Sequence, residues 1–303
     1  MSDLSTTPTP TLFKQWRHQG DAAAGQAMAQ RFSDWYYAIT TCRLGDAHGR
    51  GPLQRACVRF QQGILSVTTP TELADWSHVL LMEEVKMAGG RIAGGDFPNQ
   101  LTGGRSPTEL LQQVAGRLEP GVVRLLTAAY DSEVPLEEVT ALAETMGGYP
   151  FAVLHARLAA KRALRDHAGV AFTEVPDSPN LDLAPLPLYE AGRMPREAEE
   201  TGFEKWMLTD MGLCKDIAEF GVFAQAMRAG ALRAAVAKSS AAPAVKSASK
   251  GAELAAAGSE EAAAEAAPPG MAGVAIPLVI TILIGLVGLL VLLAGGAYLF
   301  LLR

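Results

Sequence analysis

The densest run of basic side chains in this sequence lies between His155 and Arg165. It contains four arginine and lysine residues and no acidic residue. Cations at helical spacing beside a turn are suited to contact the phosphates and base edges of DNA. The candidate DNA-binding residues are therefore His155, Arg157, Lys161, Arg162 and Arg165.

The spacing of these cations leaves two interpretations open. Arg157 and Lys161 are four residues apart, so a helix places them on one face, with Arg162 about 100° farther round. The cations would contact DNA, or they would form a solvated helix face near the negative end of the helix dipole. The whole chain carries a formal charge of −6, so any affinity for nucleic acid must come from this local patch.

Other chemistry finds no support in the residue pattern. The sequence has no glycine-rich phosphate loop, no nucleophile elbow and no HExxH motif. Its histidines are scattered, and Cys42, Cys57 and Cys214 are far apart, as is typical of buried thiols in a reducing compartment. We expect a protein that is not an enzyme, with no catalytic residue, metal site or cofactor.

In the rest of the sequence, apolar residues recur mostly at helical spacing. The alternation with period two that is typical of strands is almost absent. We therefore predict an all-α fold made of two small helical domains, a further amphipathic helical segment and one C-terminal transmembrane helix. The predicted segments are disordered residues 1–11, a helical domain at 12–88, a glycine-rich linker at 89–105, a helix-turn-helix domain at 106–168, a proline-rich connector at 169–196, an amphipathic segment at 197–236, an Ala/Glu-rich stalk at 237–272 and the transmembrane helix at 273–303.

Local signals predict where several of these helices begin and end. Asp21 is a good N-cap for the helix that carries Phe32, and Gly45 ends that helix at little conformational cost. Thr71, after a proline, is expected to cap a helix over Glu72–Met87. A glycine, at 212 or 221, is expected to divide the amphipathic segment. That segment would pack on the helical domains, or it would bind a partner helix or the membrane surface.

Three motifs in the first block fall at the spacing of a known family. They are Gly20-Asp21, Phe32 eleven residues after that aspartate, and Leu44-Gly45-Asp46, whose aspartate lies fourteen residues farther on. Trp76 stands in a similar helical setting. The block resembles region 2 of extracytoplasmic-function sigma factors.

The second block resembles region 4 of the same family. Leu118-Glu119-Pro120 and Tyr130, ten residues after that proline, match its opening. Residues 135–147 are similar to the first helix and turn of a helix-turn-helix, and residues 152–158 to its recognition helix. The resemblance covers residues 12–168 and implies that the basic side chains of the recognition helix meet DNA.

The chain departs from that family where the family binds RNA polymerase. An acidic helix follows Leu-Gly-Asp in the family, whereas Leu53–Phe60 carries Arg55 and Arg59 and reverses the charge. The counterpart of the basic, aromatic promoter-melting helix, Ser77–Lys86, is poor in arginine and aromatics. We expect little or no stable binding to core RNA polymerase.

The stretch Val274–Leu302 contains no charged side chain, and about 20 apolar residues suffice for a helix to cross a bilayer. The first 30 residues have no apolar core of a signal peptide. We therefore expect a single-pass, tail-anchored protein of the inner bacterial membrane with its helical domains in the cytoplasm.

These observations predict a membrane-tethered, sigma-factor-like transcription regulator that binds DNA or a transcription partner through its helix-turn-helix domain. The alternative is a tail-anchored helical interaction scaffold that has lost DNA and polymerase binding. A protein partner is expected in both cases. The basic run favours the first hypothesis, and the altered helix at Leu53–Phe60 favours the second.

Overall fold

The structure is a computed structural model that describes residues 4 and 6–241. Every regular element in this part of the chain is helical, which confirms the all-α prediction. The helices are α1 (Thr9–Gln19), α2 (Ala22–Gly63), α3 (Pro70–Met87), α4 (Pro107–Ala115), α5 (Pro120–Tyr130), α6 (Leu136–Glu144), α7 (Phe151–Ala168), α8 (Leu186–Ala191), α9 (Glu197–Met207), α10 (Met211–Arg228) and α11 (Arg233–Ala241).

Capping side chains determine where the first helices begin. The Asp21 carboxylate accepts hydrogen bonds from the backbone N–H groups of Ala23 and Ala24, as predicted. For α3 the predicted cap is wrong, because the hydroxyl of Thr69, not of Thr71, accepts the N–H of Glu72. Pro70 then occupies the first helical position, where its missing N–H costs nothing.

Helix α2 is kinked rather than ended at Gly45. Gly45 has φ 74° and ψ 161°, which interrupts the helix, but the helical conformation resumes and continues through Pro52 to Gly63. The glycine also admits the ring of Phe97, since a Cβ at this position would lie 2.6 Å from a ring carbon. The predicted helix end is therefore a kink against which a later loop packs.

Two hydrophobic clusters form the core of the described residues. One is built from α1–α3, with α8 and α9, and contains Trp35 and Tyr36. The other is built from α4–α7, with part of α11, and contains Tyr130. Helix α10 contributes Ile217 to the first cluster and Phe223 to the second. A helix from the C-terminal third thus joins both blocks.

The two connecting segments, the glycine-rich linker and the proline-rich connector, both pack against α10. In the glycine-rich linker, the N–H of Gly95 donates to the carbonyl of Gln225, 3.1 Å away. The proline-rich connector contains the short helix α8, which the sequence analysis missed. The amphipathic segment is divided at Asp210, the N-cap of α10, and not at the predicted glycines.

The described residues belong to one compact unit, within which α10 contacts α2, α4, α5 and α8. No helix among the described residues is both long enough and apolar enough to cross a membrane. The predicted transmembrane helix and most of the predicted stalk lie outside the described residues.

Candidate functional site

Helix α7 carries all five predicted DNA-binding residues but divides them between two environments. Arg157 and Lys161 lie on its inner face and are only 6% and 1% exposed. His155, Arg162 and Arg165 lie toward the outside. The expected shared face of Arg157 and Lys161 is confirmed, but their expected exposure is wrong.

Arg157 connects α7 to α8 and α10 through a buried set of ion pairs. Its Nε and Nη2 donate to the two carboxylate oxygens of Glu190, at 2.8 and 2.6 Å. Nη2 also lies 2.7 Å from Asp216 Oδ2, and the guanidinium stacks over the ring of Phe220 at 4.3 Å. The Tyr130 hydroxyl donates to Glu190 at 2.7 Å. The Arg157 guanidinium is thus paired with two acids and one aromatic ring inside the chain.

Lys161 binds the connector and α10 at once. Its Nζ donates to the carbonyl of Glu174 at 2.7 Å and to the carboxylate of Asp216, with Glu219 Oε2 at 3.8 Å. The ammonium also lies over the ring of Phe172, 4.9 Å from its centre. The N–H of the adjacent Thr173 donates to Glu219. Lys161 therefore holds α7, the connector and α10 together.

Burial and charge act in opposite directions on Asp216. Burial raises the pKa of its carboxyl, but the charges of Arg157 and Lys161 outweigh this effect and hold the pKa below its ordinary value. Asp216 therefore stays ionised and pairs with both cations.

The outer face of α7 borders an open groove of about 640 Å³. Arg162 lines it and donates to the carbonyls of Pro176, at 2.9 Å, and Asp177. His155 lies beside Phe151, with 5.9 Å between ring centres. Arg165 lies on the surface and pairs with its neighbour Asp166 at 2.7 Å. These three side chains are the only predicted DNA ligands that the described surface of α7 presents.

A second buried network, in the first helical block, is also centred on an acid from a later helix. Glu204 of α9, fully buried, accepts from Arg43 Nε at 2.7 Å and from the Tyr189 hydroxyl at 2.8 Å, and His78 Nε2 lies 2.7 Å from it. Burial raises the pKa of Glu204, but the hydrogen bond from His78 and the charge of Arg43 have the opposite effect and outweigh it. The pKa of Glu204 therefore lies below its ordinary value. Trp35 Nε1 donates to the Glu204 carbonyl at 2.6 Å.

Sequence reasoning missed the acids that organise these networks: Glu190, Glu204 and Asp216. Glu190 lies in α8, Glu204 in α9 and Asp216 in α10; the first two are fully buried, and the Asp216 side chain is 22% exposed. A carboxylate flanked by large apolar residues, such as Glu190 after Leu188 and Tyr189, was the available signal. Their cationic partners lie dozens of residues away, so spacing along the chain could not pair them.

No group of three or more His, Cys, Asp or Glu side chains in the described part of the chain could hold a metal ion. No family model, no curated protein and no solved structure matches this chain.

Proposed function

We propose that this chain is a membrane-anchored, sigma-factor-like regulatory protein whose helical body acts through protein contacts rather than through DNA. In this proposal α1–α3 correspond to region 2, and α6 and α7 to the helix-turn-helix of region 4. The observation that carries it is the burial of Arg157 and Lys161 in ion pairs with Glu190 and Asp216. Cations neutralised inside the chain have no charge left for phosphates.

The charges next to α7 also support a role without DNA. Glu137, Glu138 and Glu144 of α6 are exposed and make no ion pair within the described residues. In a helix-turn-helix the first helix crosses the DNA backbone. Three carboxylates on α6 would repel the phosphates there.

The α2–α3 pair supports the absence of polymerase binding. Arg55 and Arg59, which replace the family's acidic residues, form ion pairs with Glu84, and Arg59 also pairs with Glu83. This surface thus carries balanced charges in place of the net negative charge of the family's polymerase-binding helix.

The groove on the outer face of α7 favours DNA binding as a second candidate function. Arg117, His155, Arg162 and His167 line it together with the acids Glu119 and Asp166, and Arg117 makes no ion pair within the described residues. These four side chains would replace the two buried cations as phosphate ligands.

A salt titration decides between the two functions. The full-length chain in detergent micelles is mixed with a labelled 30-base-pair duplex at low salt, and fluorescence anisotropy is measured. We expect no saturable binding by the wild-type chain or by Arg117→Ala/Arg162→Ala. Binding with a log–log salt slope of about −3, abolished in that double variant, would establish the second candidate and contradict our proposal.

A further inference from the structure

A mostly apolar groove of about 530 Å³ lies where the turn before α7 meets α8 and α9. Its volume is within the range of about 300–1,000 Å³ that is typical of ligand sites. Aromatic, proline and aliphatic side chains form its walls; those that matter here are Tyr149, Pro150, Leu188, Met194, Phe203 and Trp206.

Two aromatic hydrogen-bond donors in this groove have no partner. The Tyr149 hydroxyl is buried without a hydrogen bond, and Trp206 Nε1 makes none within the described residues. Trp206 is 36% exposed, and its ring packs edge-on against Phe203. Burial raises the pKa of Tyr149 to about 12, so the hydroxyl keeps its proton and remains a donor at neutral pH. Buried polar groups are rarely left unpaired, so the Tyr149 hydroxyl indicates an acceptor that arrives from outside, and Nε1 of the part-exposed Trp206 is a second donor in the same groove.

The charge of the groove specifies the occupant further. Glu199 is the only charged side chain that lines it in the described part of the chain. Its carboxylate pairs with Arg196 at 2.6 Å, but both side chains are exposed, Arg196 by 79% and Glu199 by 38%, so this pair is weak and can be exchanged for one with a ligand. A positively charged ligand is therefore favoured over an acidic one.

We propose that this groove binds an extended, proline-containing segment of a partner protein that carries an arginine or lysine. A polyproline II segment makes no internal hydrogen bonds, so its carbonyls are free to accept from Tyr149 and Trp206. Its rigid rings pack on aromatic walls at low entropic cost. The basic residue pairs with Glu199. This inference rests on the proposed function, and it names the class of partner.

The test is a calorimetric titration of the full-length chain in detergent micelles with synthetic decapeptides. The probes are a proline-rich peptide with one arginine, the same peptide with glutamate at that place, and a Gly/Ser peptide. We expect saturable binding of the arginine peptide, weaker binding of the glutamate peptide and none of the Gly/Ser peptide.

Substitutions in the groove separate recognition from nonspecific adhesion. Tyr149→Phe removes one hydrogen bond and is expected to weaken binding about fivefold. Trp206→Leu removes an aromatic wall and a donor and is expected to weaken it more than tenfold. Glu199→Gln should reduce the preference for arginine over glutamate. The matched control is Leu65→Ser, an exposed apolar residue outside the groove (61% exposed), which should bind as wild type does.

Several results would overturn the proposal. One is the absence of saturable peptide binding, and another is wild-type affinity for the peptide in Trp206→Leu. The others are binding to phosphatidylcholine vesicles that Trp206→Leu abolishes while no peptide binds, and self-association of the chain through Trp206. If no peptide binds, this inference fails, and the proposed function is still tested separately by the DNA titration. DNA binding by a chain that also binds the peptide would overturn only the proposed function.

Discussion

At the scale of single residues, Arg157 and Lys161 hold three parts of the chain together. Arg157 joins α7 to Glu190 of α8, both cations meet Asp216 of α10, and Lys161 also binds the connector at Glu174. The pairs are buried, so their desolvation offsets much of the attraction when all partners are present. Removing one partner is expensive because the remaining charges are left in a poorly solvated place.

We predict that Lys161→Ala lowers the free energy of unfolding by about 3 kcal/mol. The substitution leaves the Glu174 carbonyl without its donor and Asp216 with one cation instead of two. Chemical denaturation followed by helical circular dichroism measures the change. Arg165→Ala, at an exposed position of the same helix, is the control and should stay within about 0.5 kcal/mol of wild type. A loss of stability in Lys161→Ala as small as that of the control would show that Lys161 does not hold these elements together.

Asp216 predicts how stability depends on pH. Its pKa is lower in the folded chain than in the unfolded chain, where it takes the ordinary value of about 3.9. The stabilisation is therefore fully present above that ordinary value and is lost as pH falls through the lower, folded value. We expect the free energy of unfolding to fall as pH decreases below about 4.

A variant assigns that effect to Asp216. Asp216→Asn should reduce stability at neutral pH and flatten its decline below about pH 4, whereas Asp182→Asn, at an exposed carboxylate, should retain the wild-type slope. Unfolding curves at several pH values provide the measurement. An unchanged slope in Asp216→Asn would contradict the assignment.

At the scale of elements, the kink in α2 shows how one glycine serves two purposes. Gly45 adopts a positive φ that strains other residues, and its missing side chain makes room for Phe97 of the linker. The kink therefore orients the second half of α2 and fixes the linker beside it.

We predict that Gly45→Ala destabilises the chain by about 2–4 kcal/mol, through the backbone strain and the collision with Phe97. Phe97→Ala in the same chain should relieve the collision but not the strain. Gly116→Ala is the matched control, because Gly116 has φ −71° and nothing within 4 Å of a new Cβ, and it should be neutral or slightly stabilising. Thermal unfolding of the three variants tests the prediction, and equal effects of the two glycine substitutions would refute it.

At the scale of the whole molecule, the part of the chain that follows α7 supplies acids to both helical blocks. Glu204 neutralises Arg43 of the first block, and Glu190 and Asp216 neutralise Arg157 of the second. Helix α10 contributes apolar side chains to both cores. The two blocks therefore share one internal partner, which an isolated second block would lack.

We predict that protease added to intact spheroplasts leaves residues 1–270 uncut, and that deletion of residues 274–303 moves the protein to the soluble fraction. The expectation rests on the uncharged stretch Val274–Leu302. Immunoblots of both fractions report the result, with spheroplasts lysed before protease treatment as the positive control. Digestion from outside would reverse the proposed orientation.

The sequence by itself determined the elements whose signals are local. Helical periodicity predicted an all-α chain, and Asp21 was recognised as a cap because its contacts lie within three residues. Gly45 was predicted to end the helix, and the structure has a kink there instead. The helical spacing also placed Arg157 and Lys161 on one face.

Only the tertiary structure decided which way that face points. Six of the 18 residues of α7 are alanines, so the contrast between an apolar side and a polar side is weak, and the pattern alone does not place Arg157 and Lys161 on the buried side. Asp216 lies 55 residues beyond Lys161, and Glu190 lies 33 beyond Arg157. A cation is stable inside a protein only where such distant acids converge on it, and that convergence is a property of the folded chain.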